Sequence, residues 1–496
     1  MTLASRLAFL ASIALPRDEN SMSSPTSYDA VIVGAGPNGL AAAARLAEAG
    51  WRTIVFEANE TAGGAVRSLP LTEPGFLHDF GAAILPLGVA SPYLKRLPLA
   101  GYGLDWVYPD VPVAHPLDGG RAVLLHRSID ETAAGLGRDG AAYRKLFSPL
   151  AEDWPMLDDE LLQPMLHIPR HPLALARFGL RALLPPARLA KWSFKDEPAR
   201  ALWAGVAAHA ARPFSAPGGS AFGLLLMALA HRVGWPFPRG GTQALTDALI
   251  QHIRAHGGEV VNGRRIQDLE ELPPARAVLL DVAPRALLDI AGDRLPARYR
   301  RSLESFRPGF GSFKLDYALD GPIPWSNPDV ARAGTVHLGG TLEEIAAAEA
   351  EVASGKPPRH PYILLAQPSL FDSSRAPAGK HTMWAYCHVP NGSKADMTSA
   401  MEDQIERYAP GFRQRVIARH SMGPADLEAM DANLVGGDVS GGANNLWQLV
   451  ARPTLRPNPY RTPAEGIYLC SASTPPGGGV HGMCGFHAAE TALADQ

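Results

Sequence analysis

Three glycines, Gly34, Gly36 and Gly39, have the residue type and spacing of a phosphate-binding turn. Residues 29–33 before them predict a buried strand, and residues 37–49 after them predict an amphipathic helix. A Cβ atom at Gly34 or Gly36 would hold a phosphate away from the backbone N–H groups at the start of that helix, where the helix dipole attracts anions. The pattern therefore predicts binding of a dinucleotide pyrophosphate; a glycine-rich turn that merely folds is the alternative.

An acidic residue at the end of the next strand supports this prediction. Gly50 stops the helix and residues 52–57 predict a second strand, so the unit is the right-handed crossover of a parallel sheet. Gly39 lets the helix and the first strand pack closely. Glu57 follows Gly39 by 18 residues, where a carboxylate can accept hydrogen bonds from both ribose hydroxyls and would repel a 2′-phosphate.

The loop after this strand contains paired glycines and a cation. Gly63 and Gly64 let the backbone fold over a phosphate, and Arg67 can neutralise one of its charges. The alternative is a turn that carries a solvent-exposed arginine. In the short strand and turn of residues 76–81, Asp79 is as compatible with turn formation as with ligand contact.

A second glycine-rich helix start lies near the other end of the chain. Residues 466–474 predict a strand, and the glycines between Gly477 and Gly482 precede a helix that ends near residue 494. If the first helix N-terminus binds the pyrophosphate, the second can face the electron-rich edge of a flavin ring. The two ends of the chain are therefore expected to meet at one cofactor.

Composition and cysteine usage exclude several classes of protein. The 496 residues carry a formal net charge of −3, which provides no overall field to hold nucleic acid. Cys387, Cys470 and Cys484 are far apart and form no C-x-x-C pair, which predicts free thiols in a reducing, cytoplasmic compartment and no redox dithiol. No cluster of Cys or His has zinc-ligand spacing, so no metal site is predicted.

The alternation of strands and helices predicts an α/β fold with two discontinuous domains. The first is a Rossmann-type nucleotide-binding domain, and the second is a substrate domain with apolar helices and a mixed sheet. The nucleotide-binding domain comprises residues 28–85 with 236–294 and 434–496, and the substrate domain comprises residues 86–235 with 295–433. Residues 1–27, polar and Ser-rich after a short apolar run, predict a disordered extension.

Contact with a membrane is expected at most at the surface. The longest apolar run, residues 221–230, is too short to span a bilayer. In residues 177–191 arginines and a lysine recur at helical spacing beside Leu and Phe, which is compatible with a peripheral membrane helix. The alternative is a core helix with a solvated basic face, and Pro185 and Pro186 interrupt the helix in either case.

These motifs together resemble the phytoene dehydrogenase-related family of FAD oxidoreductases, and most closely the branch of pyridine nucleotide-disulfide oxidoreductase domain-containing proteins. The resemblance runs from about residue 28 to the C-terminus and includes the helix start at Gly240 and Gly241, residues 436–438 and residues 448–453. It implies a glutathione-reductase-like FAD domain and a substrate domain whose apolar tunnel meets the flavin.

The resemblance also implies roles for individual residues. Gly34, Gly36, Gly39 and Glu57 would hold the ADP part of FAD, with Gly63, Gly64 and Arg67 on the pyrophosphate side. Val260 would contact the adenine edge. The isoalloxazine would lie against Gly479, Val480 and Gly482. Many FAD proteins of this fold have an Asp after the last strand to hold the ribityl chain, whereas Ser471 to Thr474 stand here.

The expected reaction is dehydrogenation of an apolar substrate, isoprenoid or carotenoid-like, by hydride transfer to flavin N5. Backbone N–H groups from Gly479 to Gly482 would stabilise the charge that develops on the ring, and His481 is the candidate base, with a packing role as its alternative. Cys484 is expected to be a packed thiol, and Asp438 and Arg452 are candidates to border the cavity. The electron acceptor, whether O₂, quinone or protein, stays open, as do a flavin-dependent isomerase and a non-catalytic flavin-binding protein.

Overall fold

The computed structural model describes residues 27–496. The extension predicted over residues 1–27 therefore falls almost entirely outside the described residues. The strands of the described part are β1 (Tyr28–Val33), β2 (Thr53–Phe56), β3 (Ser68–Leu69), β4 (His78–Asp79), β5 (Trp106–Val107), β6 (Val111–Leu117), β7 (Arg121–Leu125), β8 (Phe237–Pro238), β9 (Glu259–Val261), β10 (Ala275–Leu280), β11 (Gly311–Leu319), β12 (Ala333–Leu338), β13 (Ile363–Ala366), β14 (His381–Val389), β15 (Val416–Met422) and β16 (Ile467–Leu469).

The α-helices of the same residues are α1 (Pro37–Glu48), α2 (Pro86–Ala90), α3 (Ile129–Gly135), α4 (Gly140–Glu152), α5 (Trp154–Leu161), α6 (Pro172–Ala182), α7 (Pro186–Ser193), α8 (Glu197–Ala207), α9 (Ser220–Arg232), α10 (Gln243–Ala255), α11 (Pro284–Ala291), α12 (Ala297–Glu304), α13 (Leu342–Ala353), α14 (Thr398–Tyr408), α15 (Pro424–Met430), α16 (Leu446–Val450) and α17 (Met483–Ala494).

The first large sheet has five parallel strands in the order β16-β10-β1-β2-β9. Successive side chains of β1 point to opposite faces: Ala30 and Ile32 pack in the cluster that contains α1, α10 and α17, and Val31 and Val33 pack in the cluster that contains α11 and α12. Burial on both faces explains why this strand has no polar residue after Asp29. The strands predicted over residues 29–33, 52–57 and 466–474 all form in this sheet, as β1, β2 and β16, which confirms the α/β, Rossmann-type fold.

The second large sheet has seven strands in the order β15-β11-β14-β13-β12-β6-β7. It is mixed, because β12 and β6 are parallel and the other neighbours are antiparallel. One face packs on α14 through residues such as Phe313, Leu315, Met401 and Ile405. The opposite face carries side chains toward the cavity described below.

Three strands of this second sheet are not predicted from the sequence. Strands β6 and β7 lie in the region that the composition marks as helical, and β6 contains Pro112 and Pro116, which usually argue against a strand. Strand β15 is an edge strand with alternating exposure. The rest of residues 86–235 is helical, and the proline pair separates α6 from α7 as predicted. Within residues 27–496, no helix is both long and apolar enough to cross a membrane.

Candidate functional site

The carboxyl ends of the parallel strands open into a cavity of about 740 Å³ that extends to the second sheet. This edge is where α/β sheets of this kind bind ligands, and the volume is in the range of small-molecule and cofactor sites. The first part of the cavity, called here the nucleotide side, is lined by residues that follow β1, β2, β10 and β16. Among residues 27–496, no group of His, Cys, Asp and Glu is arranged to hold a metal ion.

The turn after β1 forms one wall of the nucleotide side. Gly34 has a φ of +99°, and a Cβ atom there would lie 2.7 Å from the carbonyl oxygen of Asp281. Helix α1 begins at Pro37, and no side chain caps it at Gly36. Gly34, Gly36 and Asn38 line the cavity. Because the first N–H groups of a helix have no intrahelical acceptor, this wall offers donors and a positive helix end to an anion.

Glu57 lies opposite this turn and is held in place by the backbone. Its Oε2 accepts a hydrogen bond of 2.9 Å from the N–H of Ala35. Its Oε1 accepts hydrogen bonds of 2.8 and 3.0 Å from the backbone and side-chain nitrogens of Asn59. The buried carboxylate still lines the cavity. It therefore has a fixed orientation, and one lone pair, on Oε2, stays free to accept a hydroxyl group in the cavity. That this hydroxyl belongs to a ribose stays a prediction.

A second buried carboxyl group beside the turn was not singled out by the sequence analysis. Asp281 follows β10, and its Oδ2 accepts a hydrogen bond of 2.8 Å from the N–H of Gly39. Asn433 donates to the carbonyl oxygen of Asp281 and accepts from the N–H of Ala283. Burial raises the pKa of Asp281 to about 8. The group is therefore uncharged at neutral pH, which avoids repulsion of a phosphate. Its position directly after an apolar run, residues 277–280, was the available signal.

The loop of Gly63 and Gly64 is tied to the turn, but Arg67 does not line the cavity. The N–H of Gly63 donates to the carbonyl oxygen of Ala35, and Gly64 lines the cavity. Arg67 is buried, with Nε 2.8 Å from the carbonyl oxygen of Gly64 and Nη2 2.7 Å from that of Met430. Burial lowers the pKa of Arg67. Through these hydrogen bonds, Arg67 links the Gly64 loop to the C-terminal end of α15 at Met430.

Val260 and Gly39 also lie outside the cavity lining. Val260 is half-buried on β9, and residues 264–267, which follow that strand, reach the cavity instead. Gly39 is inside α1, where a Cβ atom would lie 2.0 Å from the carbonyl oxygen of Gly34. Gly39 therefore allows the helix to approach the turn, as predicted.

The C-terminal glycine-rich segment reaches the same cavity from the other side. Gly479 and Val480 line it, together with Ser471 and Ser473 after β16. Gly482 has a φ of +67° directly before α17, and a Cβ atom there would lie 2.8 Å from Cβ of Ala41. Gly482 therefore lets the two helix starts approach each other. The predicted meeting of the two ends of the chain is present in the structure.

His481 and Cys484 are buried behind this segment. The Nε2–H of His481 donates to the carbonyl oxygen of Gly477 at 3.2 Å, and its Nδ1 accepts from the N–H of Met483 at 3.0 Å. Burial lowers the pKa of His481 to about 4. The ring is therefore neutral, has both nitrogens bonded and does not line the cavity, which matches the packing alternative for this residue. Burial raises the pKa of Cys484 to about 12, so it is a packed thiol.

Asp438 and Arg452 support the cavity wall from behind. Asp438 accepts hydrogen bonds of 2.7 Å from the N–H groups of Gly309, Ser440 and Gly442. Arg452 donates to the carbonyl oxygens of Ala472 and Ser440. Of these residues, Ser440 and Ala472 line the cavity. Asp438 and Arg452 therefore hold the backbone of the residues that form this part of the cavity wall.

The second part of the cavity, called here the sheet side, is largely apolar. It also contains four polar residues, of which three belong to β11 and β12. The apolar residues are Phe222, Leu226, Trp235, Leu364, Trp384 and Tyr386, and the polar ones are His209, Ser312, Lys314 and Thr335. None was singled out by the sequence analysis, because only the folded sheet brings them together.

Comparison with known proteins agrees with this geometry. Residues 32–97 match the family described as NAD(P)-binding Rossmann-like domain. The chain is 30% identical to mouse pyridine nucleotide-disulfide oxidoreductase domain-containing protein 2, with 94% of each chain covered. It is 25% identical to a lycopene-forming phytoene desaturase of Pseudescherichia vulneris, over 91% of this chain and 96% of that one.

The chain belongs to the phytoene dehydrogenase-related family of flavin oxidoreductases. Among solved structures, an oxidoreductase from Methanosarcina mazei is similar in fold, with a TM-score of 0.65, 18% identity and coverage of 94% of this chain and 100% of that one. The described residues contain no redox dithiol, since Cys387, Cys470 and Cys484 are all buried free thiols.

Proposed function

We propose that this family member binds FAD and dehydrogenates an apolar substrate by hydride transfer to the flavin. The observation that carries the proposal is that the glycine-rich segments before two helices, at Gly34–Gly36 and at Gly478–Val480, line one cavity. An uncapped helix N-terminus, a fixed carboxylate at Glu57 and an uncharged Asp281 suit the pyrophosphate and ribose of a dinucleotide. The FAD-binding domain would comprise residues 28–85 with 236–294 and 434–496.

The protein's own contribution would be binding, orientation and exclusion of water. FAD, when bound, supplies the hydride acceptor. Backbone N–H groups at Gly479 and Val480 border the cavity and can stabilise negative charge on a ring placed there. The aromatic and aliphatic side chains of Trp235, Leu364 and Tyr386 can position an apolar substrate and keep water away from the reacting carbon. The apolar sheet side favours dehydrogenation of a lipophilic compound.

Anaerobic titration of the purified protein with lipophilic donors tests this function. A donor should decrease the visible absorbance of oxidised flavin, and its product should have lost two hydrogens by mass spectrometry. A product of unchanged mass would indicate the isomerase instead. If no donor or oxidant changes the spectrum of the bound flavin, the protein is a non-catalytic flavin-binding protein and the proposal is wrong.

We also propose that α6 and α7 contact an anionic membrane surface. Residues 161–195 contain six Lys and Arg residues and no Asp or Glu. Large apolar side chains are exposed beside these cations, including Ile168 (93%), Leu173 (81%), Leu180 and Trp192. Helix α6 packs on α9, whose Phe222 and Leu226 line the cavity. An anionic lipid surface complements this combination of charge and apolar area, and its lipids would lie near the apolar part of the cavity.

Sedimentation with vesicles tests the membrane contact. Vesicles of phosphatidylcholine with phosphatidylserine should sediment the protein at low salt, and high salt or phosphatidylcholine alone should release it. Leu173→Ser should weaken sedimentation, whereas Ile417→Ser, which changes an exposed apolar residue on β15, should not. Equal sedimentation by both vesicle types, or equal effects of the two variants, would contradict the proposal.

A further inference from the structure

Three buried polar atoms on the sheet side of the cavity have no hydrogen-bond partner in the protein. They are Oγ of Ser312, Oγ1 of Thr335 and Nε1 of Trp384. These residues are 2%, 0% and 6% exposed, and all three line the cavity. A buried polar group without a partner destabilises the protein, because it has lost its hydrogen bonds to water. A ligand composed only of carbon and hydrogen would leave this cost in place for each of the three groups.

The fold places these groups on one face of the second sheet. Ser312 and Lys314 lie on β11, Trp384 on β14 and Thr335 on β12. In the register of the sheet, Trp384 pairs with Ala366, which in turn pairs with Thr335. The backbones at Trp384 and Thr335 are therefore separated by two strand spacings, or about 10 Å, and the two side chains lie on the same face.

The chemistry of the lining favours a hydrogen-bond acceptor in the ligand. The indole N–H of Trp384 can only donate, and the hydroxyl groups of Ser312 and Thr335 can donate. Lys314 also lines the cavity, and its ammonium group is beside the ring of Trp384 while it donates to Asp316. The residues that carry these donors thus come from three strands and line one cavity.

The same lining disfavours an amine. Asp316 is not part of the cavity lining and already accepts a hydrogen bond from Lys314. On the sheet side, the described residues present no carboxylate to the cavity, since Glu57, Asp281, Asp289 and Asp431 line its nucleotide side. An ammonium ion would meet Lys314 and find no opposite charge.

We propose that the substrate is an apolar molecule that carries an oxygen function, a hydroxyl or a carbonyl, and that Trp384 and Thr335 donate hydrogen bonds to that oxygen. The inference rests on the proposed dehydrogenase function and specifies its substrate class. Each hydrogen bond of this kind is expected to favour the oxygenated ligand over the hydrocarbon by severalfold, so two should give a preference of about tenfold or more.

Three probes with one carbon skeleton test the inference: farnesol, its hydrocarbon farnesene and farnesylamine. Equilibrium dialysis against the flavin-containing protein measures the three dissociation constants. Farnesol should bind about tenfold or more tightly than farnesene, and farnesylamine should bind less tightly than farnesol. Equal or tighter binding of farnesene or of farnesylamine would overturn the inference.

Paired variants test whether the named groups are responsible. Trp384→Phe and Thr335→Val should each reduce the farnesol preference about threefold or more while leaving farnesene binding nearly unchanged. Thr382→Val is the matched control, because its hydroxyl is also buried and unpartnered on β14 but does not line the cavity. A preference that persists in both variants, or that Thr382→Val removes equally, would overturn the assignment.

The flavin spectrum separates this inference from the proposed function. If the protein contains flavin and binds all three probes without preference, only the substrate class is wrong. If it contains no flavin and takes up none, the proposed function is wrong, whatever the dialysis shows.

Discussion

Replacement of Asp281 by Asn tests the physical account of the nucleotide side. In the folded protein burial raises the pKa of this carboxyl group from 3.8 to about 8. Folding at neutral pH must therefore protonate a group that is ionised in the unfolded chain. Below about pH 4 the group is protonated in both states and does not lower the free energy of unfolding. As the pH rises toward 8, the unfolded state ionises first, so the free energy of unfolding decreases. The shift corresponds to a cost of about 4 kcal/mol at pH 7 and about 6 kcal/mol above pH 8.

Asp281→Asn should remove this cost, because an amide oxygen can still accept the hydrogen bond from Gly39 and carries no charge at any pH. Urea denaturation of both proteins between pH 4 and 9 measures the effect. The variant should gain little stability near pH 4 and progressively more up to pH 8. Asp289→Asn, at an exposed carboxylate that also lines the cavity, should show no such trend. A constant difference across this range, or a variant that is less stable at pH 8, would mean that burial does not raise the pKa of Asp281 in the folded protein.

Three further changes have distinct expected outcomes. Gly36→Ala should lower flavin content and stability, because its Cβ would lie 2.8 Å from Oδ2 of Asp281. Gly179→Ala, whose Cβ would meet no atom within 4 Å, should preserve both. Equal flavin content in the two purified variants would count against a role of the Gly34–Gly36 turn in cofactor binding. Glu57→Gln should weaken FAD binding by about tenfold in fluorescence titrations, since a charged acceptor is lost. His481→Ala should lower the melting temperature without slowing flavin reduction by more than about twofold, and a large loss of rate would restore His481 as a base.

The nucleotide sheet was predictable because its signals are local. Each of its strands is a short apolar run, and Gly34, Gly36 and Glu57 occupy fixed positions relative to β1 and β2. Strand β11 is likewise buried over its full length. Burial on both faces makes the sequence pattern strong.

The sheet side was not predictable, because its residues come from distant strands. Thr335 and Trp384 meet the cavity only through the pairing of β12, β13 and β14, and nothing in their local sequence distinguishes them. Strand β6 was missed because Pro112 and Pro116 oppose a strand locally, while pairing with β7 and β12 forms it. Arg67 has the spacing of a phosphate contact, but two carbonyl oxygens compete for its guanidinium group.

The flavin content of the purified protein shows whether the two glycine-rich segments near the ends of the chain bind one FAD. Heat release followed by chromatography and mass spectrometry identifies and counts the chromophore. We expect FAD, close to one per chain, or stoichiometric uptake when FAD is added. A colourless protein that takes up no FAD, or one that retains only a nicotinamide nucleotide, would contradict it.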